Sequence, residues 1–123
     1  MEIRVIVGNM AQIAADAIVV NLFESVEQPG GVTAAVDKAL DGAISSLISR
    51  GEIKGKFGEV SIVHTLEKLP AGIVAIAGLG KRQDFTVDKV RGVTGEFCRV
   101  LRKLNCSKIA TIVHGAGIGS IEL

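Results

Sequence analysis

The sequence predicts an α/β domain, a mixed and largely parallel sheet with helices packed on it. Three observations predict it. Short β-branched runs alternate with segments whose apolar residues recur every three or four positions. The order reads strand, strand, helix, strand, strand, helix, strand, and helices set between strands favour parallel pairing. The core must come from Val, Ile, Leu and Ala, because the chain holds four Phe and neither Tyr nor Trp. Such a core suits a sheet covered by helices.

Each element follows from its residues. Glu2 to Val7 is a first strand closed by Gly8 and Asn9. Asp16 to Phe23 contains a run apolar on both faces, as an interior strand requires. Gln28-Pro29-Gly30-Gly31 marks a loop. From Val32 to Ser49 the period becomes helical: Val32, Val36, Leu40, Ala43, Leu47 and their neighbours share one stripe, and Gly51 stands where the helix should stop. Glu59 to Thr65 and Ile73 to Ala77 read as two strands joined by a turn at Leu69-Pro70-Ala71-Gly72. Thr86 is a good helix cap, Asp88 suits the first turn, and Val87, Val90, Phe97, Leu101 and Leu104 carry the apolar stripe to near Asn105. Lys108 to Val113 is a last strand, and Ser120-Ile121-Glu122-Leu123 has the form of a cap opening a further helix. That unfinished helix predicts a single domain, residues 1–123, cut from a longer polypeptide.

The chemistry is sparse. A net charge of +1 with acids and bases intermixed argues against a nucleic-acid or membrane surface. With so few aromatics, single-strand recognition by base stacking is not expected. Cys98 and Cys106 lie in apolar surroundings with no CxxC or His pair, which predicts buried, reduced thiols in a cytoplasmic protein. No signal peptide and no apolar run of about 20 residues is found.

Two glycine-rich segments fail as phosphate loops. Around Gly78-Leu79-Gly80-Lys81 a Walker loop would need Gly at 75 and Ser or Thr at 82, where Ala75 and Arg82 stand. A tight turn followed by a solvated basic pair is the simpler reading. In Gly115-Ala116-Gly117-Ile118-Gly119 the third Gly comes one residue early for dinucleotide binding. His64 and His114 end strands, and Asp37 and Asp41 flank Lys38 on a face expected to be solvated. No nucleophile elbow or HExxH helix occurs, so the sequence offers no catalytic, cofactor-binding or metal-ligating residue.

Three phrases together resemble the leucine (cytosol) aminopeptidase family. They are Asp16-Ala17-Ile18-Val19-Val20 followed by Val32 to Ile44, then Arg50 to Glu59, and most specifically Ala77-Gly78-Leu79-Gly80-Lys81-Arg82-Gln83-Asp84-Phe85-Thr86. The resemblance implies the family's amino-terminal domain, a macrodomain-like three-layer α/β/α fold. It also implies that peptide hydrolysis belongs to a separate carboxy-terminal domain, where two divalent metals, zinc or manganese, activate a water. This chain alone would then be inactive and would serve packing and hexamer assembly. Its partners would be that catalytic domain and other copies. In some bacteria the family's domain contributes to DNA binding, a role that the near-neutral charge here argues against. The macrodomain likeness raises a rival reading, an ADP-ribose-binding module. Against it, Leu22-Phe23-Glu24 stands where such a pocket presents small and amide residues.

Overall fold

The computed structural model describes residues 2–6, 9–113 and 117–123. Six strands form one sheet: β1 (Glu2–Ile6), β2 (Ala17–Phe23), β3 (Val60–His64), β4 (Ile73–Gly80), β5 (Lys108–Val113) and β6 (Gly117–Glu122), in the order β1-β6-β5-β2-β4-β3. Parallel pairing is confined to the centre, where β2 lies between β4 and β5. The outer pairs β1–β6, β5–β6 and β3–β4 are antiparallel. Two short helices, α1 (Gly31–Ala39) and α2 (Ala43–Ser49), cover one face, and the long α3 (Val87–Lys103) covers the other. The result is the expected three-layer α/β/α arrangement with a mixed sheet. The sheet is not largely parallel, however: among the described residues three strand pairs are antiparallel and two parallel, because β3–β4 and β5–β6 follow one another with no crossover helix between them.

The strand period of two sorts the core by size. Ile18, Val20 and Leu22 of β2 and Val74 and Ile76 of β4 face α1 and α2, where Val36, Leu40 and Ile44 meet them. Their alternates, Ala17, Val19, Ala75 and Ala77, face α3. Small residues there admit the bulk of Phe97 and Leu101. Fully burying one such large apolar side chain stabilises the fold by about 1.5–3 kcal/mol.

Three local expectations fail. The predicted helix Val32–Ser49 is two helices, because Asp41 (φ 57°) and Gly42 (φ 82°) both adopt the left-handed conformation between them. Asp37, expected on a solvated face, is buried and organises that corner. Its Oδ1 accepts from the backbone N–H groups of Ile44 (2.8 Å) and Ser45 (3.0 Å), and the Ser45 hydroxyl donates to Oδ2. It thus satisfies the first turn of α2, whose preceding Gly42 has no side chain to do so. The third failure is Ser120–Leu123, which opens no helix. Ser120 to Glu122 belong to β6, hydrogen-bonded between β1 and β5, and pairing on both sides overrides the local cap signal.

Thr86 caps α3 as expected, accepting from the Lys89 N–H. Cys98 and Cys106 are free and buried in the α3 layer, and burial pushes both thiols up from their ordinary range. Raised thiols are poor nucleophiles. Among the described residues no helix is long and apolar enough to cross a membrane.

Candidate functional site

Parallel sheets place ligands beyond the carboxyl ends of their strands, at the point where neighbouring strands part. Here that point lies beside β2. It pairs with β4 as far as Phe23, but with β5, among the described residues, at Ala17 and Ile18. Beyond its carboxyl end opens a cleft of about 460 Å³, with Asn21, Phe23, Gly30, Thr33, Leu79 and Arg82 in its lining. The Thr33 hydroxyl donates to the Asn21 carbonyl (2.8 Å) and pins the start of α1 to the strand. Gly30 precedes α1 without a side-chain cap, and the first turn holds no acid.

One wall of the cleft is aromatic and cationic. The Arg82 guanidinium lies 4.3 Å from the centre of the Phe23 ring, and Phe85 meets the same ring edge-on at 5.3 Å. Arg82, expected to be solvated, is exposed yet committed to that ring.

A strap from Lys54 to Glu59 crosses the end of β4 and holds this wall. The Gly80 N–H donates to the Gly55 carbonyl (2.9 Å), the Gly58 N–H to Gly78 (3.2 Å), and the Gly78 N–H to Glu59 (2.7 Å). The Glu59 carboxylate in turn accepts from the N–H groups of Lys54 and Gly55. Backbones approach so closely that a Cβ on Gly78 would overlap the Lys56 carbonyl, and one on Gly55 would stand 2.6 Å from the Phe23 carbonyl oxygen. Gly78 and Gly80 are therefore not a turn but part of the final stretch of β4, kept bare for the strap.

The remaining sequence candidates do not converge. His64 ends β3 and is exposed, and Asp41 pairs with Lys68 at 2.7 Å. His114, Gly115 and Ala116 lie outside the described residues. Among the described residues no three His, Cys, Asp or Glu side chains form a group that could hold a metal. What sequence reasoning missed is the joint role of Phe23, Arg82 and Phe85. The only signal for it was the family-like phrase from Ala77 to Thr86.

Comparison with known proteins agrees with this architecture. Residues 19–119 match the profile described as "Cytosol aminopeptidase family, N-terminal domain". Probable cytosol aminopeptidases of Alkaliphilus oremlandii and Geobacter sulfurreducens are 31% and 33% identical over 97% and 94% of the chain. The chain spans about a quarter of the length of these relatives, 24% and 23%. Among solved structures, the macrodomain of Mycobacterium tuberculosis DarG superposes with a TM-score of 0.69 at 18% identity, over 90% of this chain and 76% of that one. An Oceanobacillus iheyensis macrodomain with MES bound gives 0.63 at 16% identity, over 85% and 59%.

Proposed function

The chain belongs to the cytosol aminopeptidase family, as a form of its N-terminal domain, and from that premise we propose that it is a non-catalytic, cytoplasmic module. In this reading it packs on a metal-dependent catalytic domain of the same polypeptide and supports assembly of copies. Peptide hydrolysis, with its two divalent metals, resides in that other domain. The observation carrying the proposal is the match over residues 19–119, set beside relatives about four times as long. The packing of Arg82 on the Phe23 ring at the cleft supports it, because both side chains are engaged with each other there.

A domain exchange tests it. The matching quarter of the Alkaliphilus oremlandii protein is replaced by this chain, and hydrolysis of a leucine anilide is followed with manganese or zinc. The chimera should hydrolyse the substrate, while this chain alone should not. Metal-dependent turnover by the pure chain, or a chimera that folds without activity, would overturn the proposal.

The macrodomain-like fold with an open cleft favours a second reading, an ADP-ribose-binding module. Calorimetry separates the two. A dissociation constant in the low micromolar range, about −8 kcal/mol, would favour ADP-ribose binding. No heat at about millimolar ligand would favour the packing module.

A further inference from the structure

A second, much smaller pocket lies under α3, lined by Asn21, Thr94 and Thr111 together with Leu79, Val93 and Phe97. Three elements each bring one polar side chain to it. On β2, the alternation that sends Ala17 and Val19 toward α3 sends Asn21 there too, and on β5 Thr111 follows Ile109 to the same face. On α3, helical spacing sets Thr94 between Val90 and Phe97 on the stripe that meets the sheet. The rest of the lining is apolar.

Polar groups gathered in such a layer need partners. Thr111 is 6% exposed, and no hydrogen bond joins its hydroxyl to another described residue. Among the described residues, every side-chain nitrogen or oxygen fully shut off from solvent has a partner. The Thr111 hydroxyl is therefore not sealed in, and the space it meets is this pocket. Size and charge decide what fits there. The pocket offers about 20 Å³ to the centre of a water-sized molecule. A water needs about 10–15 Å³ on that measure and two to four polar partners, so there is room for one. No acid or base contributes to the lining, and an ion would leave its hydration shell with no charge to replace it. An amide and two hydroxyls both donate and accept, as water does.

We propose that this pocket binds a single water molecule, held by the Thr111 and Thr94 hydroxyls and the Asn21 amide. The water joins β2, β5 and α3. Among the described residues the β2–β5 ladder ends at Ile18 and Ala110, so the water links the two strands where their backbones no longer do. Asn21 and Leu79 also line the larger cleft, which places the water behind the wall of that cleft. The inference is independent of packing on a catalytic domain, and either can fail alone.

Oxygen-17 relaxation dispersion on the whole chain tests the site, because it counts waters held longer than the protein takes to tumble. Thr111→Val and Thr94→Val keep the side-chain shape and remove a hydroxyl. Each should shorten the residence time of one internal water by about five- to tenfold. The double variant should lower the number of long-lived waters by one. Thr111→Ser keeps the hydroxyl and should retain the water. If the double variant fails to fold, the single variants still decide through the residence time. Residence times unchanged in both valine variants, or a loss in Thr111→Ser as complete as in Thr111→Val, would overturn the proposal.

Discussion

Two loops of this molecule are fixed by opposite means. At the carboxyl end of β4 the strap is held close by missing atoms: Gly78 and Gly55 let main chain lie on main chain, and any Cβ would part them. At the corner between α1 and α2 the chain is held by an added group, the Asp37 carboxylate, which gathers two N–H groups and a hydroxyl. The first device is steric and tolerates no substitution. The second is polar and can be weakened in steps, since losing one acceptor costs the bonds it made and the pairing of the donors left behind, while a weaker acceptor keeps part of both. Order in the strap therefore depends on what the sequence leaves out, and order at the corner on what it supplies.

The difference can be broken first at Gly78. Gly78→Ala should cost about 3 kcal/mol or more, the upper range for forcing atoms into a packed site, because backbone and not a flexible side chain obstructs the new Cβ. Urea unfolding measures it, and a loss under about 1 kcal/mol would show that the strap yields freely.

Asp37→Ala should cost about 2 kcal/mol, combining a lost helix cap with unpaired N–H groups. Asp37→Asn should cost less, because an amide oxygen can still accept. The Ile44 and Ser45 amides should exchange faster in the alanine variant, whereas equal costs for the two substitutions would contradict the graded behaviour of this corner.

Gly95 sharpens the contrast in the opposite direction. It sits inside α3 with nothing within 4 Å of where a Cβ would stand, so Gly95→Ala should stabilise the fold by up to about 1 kcal/mol through helix propensity alone. A rise in thermal midpoint would agree, and a fall would show that this glycine is kept for an approach like that at Gly78.

The smallest effect belongs to a second carboxylate clamp, Asp16. Its side chain accepts from the Lys108 N–H and from the N–H and hydroxyl of Ser107. The Lys108 amide, then the Ser107 groups, hold its carboxyl below the ordinary aspartate value. A depressed folded-state value gives stability that is present above the unfolded value, near pH 4, and is lost as pH falls through the folded one. Exposure screens this clamp, so its contribution is slight. Asp16→Asn should lower stability slightly at neutral pH and flatten the acid limb of the stability–pH curve, and a loss at pH 3 as large as that at pH 7 would contradict the assignment.

Sequence periodicity reveals layers and conceals corners. The β-branched run of β2 and the stripe of α3 were legible because burial on fixed faces imposes a repeat. The break at Asp41–Gly42 was not, because Val36, Leu40 and Ile44 keep four-residue steps through it and all enter the same core. Ser120 carried a cap signal that pairing with β1 and β5 overrides, and that pairing is invisible locally. Gly78 and Gly80 looked like a turn because the segment that requires them, Lys54 to Glu59, lies more than a dozen residues earlier. The wall built by Phe23, Arg82 and Phe85 joins segments far apart in sequence for the same reason. The family phrase Ala77 to Thr86 marked the place without disclosing its job.

The register of β1 has a consequence for the order of assembly. Glu2 pairs with Glu122 and Ile6 with Ile118, so β1 can dock only after nearly the whole chain has been brought round, at the largest loop-closure entropy in the sheet. The β3–β4 hairpin closes across a short turn instead. Contacts between distant segments form slowly. In pulse-labelled exchange, the β3 and β4 amides should become protected before those of β1, leaving β1 the last strand to join during folding; simultaneous protection would instead mean that the sheet forms in one step.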